Sequence, residues 1–143
     1  METARQLLQG KHRQGIFSVT PDTTVYQALQ LMAEKDIGAL LVMDGDKLVG
    51  IFSERDYARK VVLQGKTSAS TPIRDIMTAR VICARPEHTV DECMALMSEK
   101  RFRHLPVVEG ERVIGVLSIT DLVRSQIAEK EFVIQQLAHY IYQ

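Results

Sequence analysis

The chain has no excess charge of either sign: 18 Lys and Arg stand against 18 Asp and Glu in 143 residues. No global field therefore draws it to nucleic acid or to an anionic membrane, and neither partner is expected. No apolar run approaches the roughly 20 residues a membrane helix needs. Cysteine is scarce, and Cys83 and Cys93 have neither metal-type nor redox-type spacing. His12, His88, His104 and His139 are scattered without ligand spacing, so no metal site is expected. Neither Ser53 nor Ser118 has a His and a carboxylate in a nucleophile pattern, which argues against a hydrolase. The N-terminal stretch METARQLLQGKHRQG carries no apolar segment of the secretory kind. These absences predict a soluble, cytoplasmic protein that is not an enzyme and needs no catalytic cofactor and no disulfide. A chain of this length buries roughly 68–70% of its unfolded surface, enough for one well-packed domain.

What the chain does have is a repeat. Pro21 to Arg59 lies on Pro86 to Arg124 without a gap, at an offset of 86 − 21 = 65. Thr24-Val25 falls on Thr89-Val90, Leu31-Met32 on Leu96-Met97, and Glu34-Lys35 on Glu99-Lys100. Gly45 and Gly50 meet Gly110 and Gly115, Ser53 meets Ser118, and Asp56 meets Asp121. Core periodicity restores apolar classes but has no reason to restore a Gly, a Ser and an Asp in register. One polar signature per copy points to two related sites.

Each copy reads as strand, helix, hairpin, helix. Val25, Ala28, Leu29 and Met32 form an i, i+3, i+4, i+7 stripe, repeated by Val90, Cys93, Met94 and Met97. Asp22-Thr23-Thr24 and Glu87-His88-Thr89 supply capping side chains ahead of these helices. Two apolar β-prone runs around Asp44-Gly45-Asp46-Lys47, and again around Glu109-Gly110-Glu111-Arg112, are hairpin signals. Pro106 removes a ladder donor and belongs at a strand start or sheet edge. Short extended stretches, Ile16 to Val19 and Val81 to Cys83, precede the first helices, and second helices begin near Ser53 and Ser118. Residues 64–72 are small and polar and read as a linker. The two ends differ from the repeats and each adds a helix, Glu2 to Leu8 and Glu129 to Tyr142. The apolar residues of the second either cover the domain or meet another subunit.

The chemistry-bearing pattern is Gly-x-x-Ser-x-x-Asp, at Gly50, Ser53 and Asp56 and again at Gly115, Ser118 and Asp121. One reading is a capping box, with Ser at the N-cap and the carboxylate reaching back to its N–H. The other uses the same geometry for a ligand. A helix N-terminus and a Ser hydroxyl suit phosphate, and a carboxylate one turn in accepts both hydroxyls of a ribose.

Pro-x-x-Thr-Val, His-Leu-Pro-Val-Val and Gly-Val-Leu-Ser-x-x-Asp, in two copies over about residues 15–126, resemble a tandem pair of CBS domains, the module named after cystathionine β-synthase. The resemblance implies an α+β fold in which two β-α-β-β-α repeats pack sheet to sheet about a pseudo-twofold axis, with extra terminal helices. It implies segments of residues 1–14 (N-terminal helical), 15–63 (repeat 1), 64–76 (linker), 77–126 (repeat 2) and 127–143 (C-terminal helix). It further implies two inter-repeat clefts for adenosine compounds such as AMP, ADP, ATP, NAD or S-adenosylmethionine. By the family pattern, the Asp121 cleft uses Ser118 and Thr120, with Arg103 and His104 toward phosphate and adenine near Ile16, Phe17, Gly38 and Ala39. The Asp56 cleft uses Ser53 and Arg55, with Thr78, Val81 and Ile82 across from it. Gly38-Ala39 stands where Arg103-His104 stands in the second copy, so the Asp121 cleft is the better equipped. The function implied is regulatory, a homodimer that signals ligand binding to a partner protein by changing conformation or assembly. The alternative is a structural dimerisation module with vestigial clefts.

Overall fold

The computed structural model describes residues 2–11 and 16–142. His12 and the boundary drawn between residues 14 and 15 lie outside them. In chain order the elements are α1 (Ala4–Gln9), β1 (Ser18–Val19), α2 (Val25–Lys35), β2 (Ala39–Asp44), β3 (Lys47–Ser53), α3 (Glu54–Asp56), α4 (Val90–Lys100), β4 (His104–Glu109), β5 (Arg112–Ser118) and α5 (Ile119–Tyr142). A π-helical segment, Tyr57–Val62, continues α3, and a single 3₁₀ turn spans Ile73–Asp75. The class is α+β. The chain divides into two compact units, Gly15–Ile82 and Met1–Gln14 with Cys83–Gln143.

The duplication survives into the hydrogen-bond register. In the first unit β2 pairs antiparallel with β3, Ala39 opposite Ser53, with an irregularity between Val42 and Met43. In the second, β4 pairs with β5, His104 opposite Ser118, with the irregularity between Val107 and Val108. Each hairpin closes on a two-residue loop whose first residue, Gly45 or Gly110, sits at a φ of 62° or 64°, a conformation that costs glycine little. Equivalent positions are buried in both units: Val25 and Val90, Ala28 and Cys93, Met32 and Met97, Leu40 and Leu105, Phe52 and Leu117.

One difference has a clear cause. In the first unit β1 joins the sheet in parallel, and the Leu41 N–H donates to the Phe17 carbonyl at 3.3 Å. The position equivalent to Leu41 is Pro106, which has no N–H to donate. Accordingly Val81 to Cys83 form no strand, and a single bridge at Ala84 remains, its N–H donating to the Pro106 carbonyl at 2.8 Å. β4 tolerates the proline because its sheet has only two strands.

The N-terminal segment, expected to differ from the repeats, is a counterpart of the linker at a second offset, 74 − 5 = 69. The Val25 N–H at the start of α2 donates to the Thr71 carbonyl at 2.9 Å, and the Val90 N–H at the start of α4 donates to Glu2 at 3.0 Å. These bonds satisfy N–H groups that a helix leaves unpaired in its first turn. The Arg74 and Arg5 N–H groups donate at 3.0 Å to the Pro21 and Pro86 carbonyls. Their guanidinium groups pair with Asp22 and with Glu87 and Glu109. Each repeat is thus completed by a segment from elsewhere in the chain, residues 71–78 for the first and the N-terminus for the second.

α5 runs unbroken from Ile119 to Tyr142, where two helices were expected. Nothing between those residues is Pro or Gly, so no residue in it interrupts the ladder. Among its large apolar residues, Phe132, Val133, Ile134, Leu137, Tyr140 and Ile141 are all exposed.

α2 and α4 both end on a left-handed residue, Asp36 at φ 54° and Arg101 at φ 58°. A left-handed conformation costs arginine steric strain that glycine avoids. Arg101→Gly is expected to stabilise the protein by about 0.5–1 kcal/mol in urea denaturation. Asp36→Gly should gain less, because Asp visits this region more readily.

Candidate functional site

Both polar signatures are built by the same local device, a strand that ends on a serine and turns directly into helix. The capping geometry expected of each motif is present. At the first, the Ser53 N–H donates to Asp56 Oδ2 at 3.0 Å, and the Asp56 N–H returns a bond to Ser53 Oγ at 3.3 Å. At the second, the Ser118 N–H donates to Asp121 Oδ2 at 2.8 Å, and the Asp121 N–H donates to Ser118 Oγ at 3.2 Å. The strand start is tied to the same corner, since the Glu54 N–H donates to the Gly38 carbonyl at 3.2 Å and the Ile119 N–H to the Arg103 carbonyl at 2.9 Å.

The two corners differ in how fully the carboxylate is used. Asp56 is buried, and four donors divide over its two oxygens. Ser53 N–H and Oγ go to Oδ2, while Thr78 Oγ1 at 3.2 Å and Lys60 Nζ at 3.1 Å go to Oδ1. Thr78 is held there by paired backbone bonds with Ile51. At Asp121 the Ser118 N–H and Lys11 Nζ, the latter at 3.0 Å, fall on Oδ2, and the Ser118 hydroxyl also acts on the carboxylate. Oδ1 has no partner among the described residues. Among the described residues, then, Oδ1 of Asp121 is unengaged, whereas both oxygens of Asp56 are engaged.

His104 and the Arg103 backbone lie at the strand start beside the Ser118-x-x-Asp121 turn. His104 stands opposite Ser118 in the hairpin, and Arg103 closes on Ile119 through its backbone. Ala39 occupies the equivalent position opposite Ser53. Thr120 and Arg55 are exposed in the first turns of α5 and α3. Thr78 meets Asp56, while Val81 and Ile82 are half-buried and outside regular structure. Ile16 is exposed, and the Phe17 ring lies 5.5 Å from the Lys35 ammonium. Ile16, Phe17, Gly38 and Ala39 belong to the unit Gly15–Ile82, and Asp121 to the other.

Sequence reasoning missed both lysines. Lys60 was legible, one helical turn beyond Asp56 on the same face. Lys11 was not, because only the fold brings the N-terminal segment to Asp121. Each corner thus receives one ammonium, from a different part of the chain.

These charges set the titration of the second corner. Burial alone would push the Asp121 carboxyl up, but the Ser118 N–H and the Lys11 ammonium outweigh it and hold it below its ordinary 3.8. A carboxyl depressed on folding stabilises the protein above its unfolded value, and that contribution is lost as pH falls below it. Burial, with help from Lys11 and Arg103 and against the pull of Asp121, lowers His104 from 6.5. His104 is therefore neutral at pH 7. An anion bound beside it would raise its proton affinity, so binding of an anionic ligand at this corner should take up protons and tighten as pH falls. Calorimetry in buffers of different ionisation enthalpy reads that uptake, and His104→Gln should remove it.

The buried thiol of Cys93 is pushed up to about 11, chiefly by burial and further by Glu92, so it behaves as a core side chain. Among the described residues no cluster of His, Cys, Asp and Glu is arranged to hold a metal. No helix among them is long and apolar enough to cross a membrane.

Two α+β repeats in register, each ending its hairpin on a capped Ser-x-x-Asp corner, define a tandem-repeat module. The chain belongs to the CBS-domain family, whose model matches residues 11–63 and 73–128. It is 42% identical over 127 residues to the mitochondrial CBS domain-containing protein CBSX3 of Arabidopsis thaliana, covering 85% of this chain and 62% of that protein's length. Among solved structures it is similar to a protein with CBS domains from Burkholderia ambifaria MC40-6, whose name refers to signal transduction. That similarity is a TM-score of 0.86 and 54% identity over 89% of this chain and 95% of that one. It is also similar to the CBS domain pair of protein MJ0100, solved with 5′-methylthioadenosine and S-adenosyl-L-methionine. There the TM-score is 0.79 and the identity 26%, over 90% of this chain and 98% of that one.

Proposed function

We propose that this chain is a regulatory module that binds an adenosine nucleotide, AMP, ADP, ATP or NAD, with the ribose hydroxyls on Asp121. The observation that carries the reading is Oδ1 of Asp121, unengaged among the described residues, at a corner that also holds the Ser118 hydroxyl, His104 and Lys11, with Arg103 next to His104 in the chain. A carboxylate with one free oxygen at a helix N-terminus is suited to a vicinal diol, and the cationic groups beside it are suited to phosphate. Thr120 lies in the same first turn as a further hydroxyl. Asp56, with Ser53, Arg55 and Thr78, is the second and weaker ribose corner, because a ligand there must displace Thr78 or Lys60. Val81 and Ile82, in the same unit, are its apolar flank, and Ile16, Phe17, Gly38 and Ala39 remain the candidates for adenine contact. The adenosine compounds bound by the MJ0100 domain pair agree with this choice of ligand class.

The chain catalyses nothing in this reading and requires no cofactor. Its output is a change of conformation or assembly, which a ligand drives only through different affinities for two states. A homodimer is part of the proposal, because the exposed apolar residues of α5 call for cover. So is a cytoplasmic setting, with the mitochondrial location left to the Arabidopsis protein. Calorimetric titration of the ligand-free protein with AMP, ADP, ATP, NAD and S-adenosylmethionine tests it, with light scattering before and after. Binding of at least one phosphate-bearing compound is expected; silence toward all five refutes the reading.

A further inference from the structure

We propose that Lys11 is a selectivity residue of the Asp121 corner. Its ammonium neutralises the carboxylate while no ligand is present, and it favours ligands that carry an anionic group beside the ribose over neutral or cationic adenosine compounds. The inference rests on the ribose reading of Asp121.

Lys11 reaches the corner from the N-terminal segment and is fixed there twice. Its Nζ lies 3.0 Å from Asp121 Oδ2 and donates to the Val116 carbonyl at 2.8 Å. The two side chains are only 25% and 17% exposed, so the ion pair is partly desolvated. A charge removed from water needs a partner of opposite sign, and removing that partner costs far more than it does at an exposed pair. A ribose diol that hydrogen-bonds to Asp121 draws on the same negative charge that holds Lys11, and being neutral it returns none. The weakened ammonium is then left near His104, on which Lys11 and Arg103 both act as positive charges. A phosphate restores a counter-ion to the cations and draws a proton to His104. Adenosine and 5′-methylthioadenosine do not, and the sulfonium of S-adenosylmethionine adds like charge. The Asp56 corner lacks this discrimination, because Lys60 is 43% exposed and finds water when displaced.

The test compares the full chain with Lys11→Met, which keeps the apolar stem, and with Lys11→Arg, which keeps the charge. Each is titrated with AMP, adenosine and inorganic pyrophosphate. The unaltered protein is expected to bind AMP at least about tenfold tighter than adenosine. Lys11→Met should weaken AMP by about tenfold, leave adenosine unchanged or tighter, and lose pyrophosphate, while Lys11→Arg retains the preference. Equal affinity of the unaltered protein for AMP and adenosine overturns the inference whether or not the variants fold. So does a parallel loss of both ligands, or no change, in Lys11→Met; in these cases the nucleotide reading stands. Pyrophosphate binding that depends on Lys11, without binding of AMP or adenosine, refutes the nucleotide reading and leaves Lys11 as an anion partner. Binding of none of the three overturns both.

Discussion

Asp121→Ala is expected to weaken AMP binding by roughly tenfold to a hundredfold, the worth of one to two charge-assisted hydrogen bonds. The effect is large because Oδ1 is the acceptor the ligand would use, and nothing else at that corner replaces it. Asp56→Ala should change affinity far less, since both oxygens of Asp56 already serve Ser53, Thr78 and Lys60. The alanine variant also loses a helix cap, at a cost of about 1 kcal/mol. A denaturation curve must therefore accompany the titration. Asp121→Asn separates the two effects. It keeps an oxygen for the Ser118 N–H and so the cap, leaving a stability loss that reports the Lys11 ion pair alone, while its neutral acceptor holds a diol less well. Asn also does not titrate, so this variant should lose the part of the acid sensitivity that appears below pH 3.8.

The second large effect concerns packing. A Cβ placed on Gly50 would lie 2.5 Å from Met77 Sδ and 3.1 Å from the Thr78 carbonyl. The methionine can swing away; the backbone of Thr78 cannot, because it is bonded on both sides to Ile51. Gly50→Ala should destabilise by about 1–3 kcal/mol in urea denaturation, the usual cost of overpacking. It should also push Thr78 off Asp56. Gly115 is the control by symmetry. The nearest neighbours of its added Cβ would all be Leu8 side-chain atoms, from 2.5 Å at Cδ2 to 3.2 Å at Cγ, and Leu8→Ala in the same chain should restore most of the loss. Gly50→Ala should recover less in a Met77→Ala background. Equal rescue of both would contradict the role given to the Thr78 backbone.

The glycines also show how far the sequence alone reached. Gly50 and Gly115 were visible as a matched pair, but the reason for them was not. Leu8 and Met77 oppose them at the second offset, 69, where only Arg5 and Arg74 repeat among the bonded residues and apolar class does the rest. A gapless comparison cannot find a four-residue shift, so the N-terminal segment read as an appendage when it completes the second unit. The hairpins, the helix starts and both Ser-x-x-Asp corners were legible because each is a local pattern with a local cause. Pro106 was understood as an edge residue, yet its consequence, the loss of the parallel strand at Val81 to Cys83, required the Leu41 to Phe17 bond to be seen in the other copy. The two helices expected after Ser118 are one, α5, because no breaker separates the repeat from the tail. Lys11 lay furthest from reach, since its link to Asp121 spans most of the chain and leaves no mark of spacing.

The symmetry itself is therefore real in the backbone and broken in the chemistry. Both corners carry a capped carboxylate and an ammonium, but among the described residues Arg103-His104 and an unengaged carboxylate oxygen belong to the second alone. The decisive measurement is a crystal structure of the protein grown with AMP. The ribose hydroxyls are predicted to bond Asp121, one of them on Oδ1, with the phosphate beside His104 and Arg103. A ribose seated on Asp56 with the Asp121 corner unchanged would contradict the account.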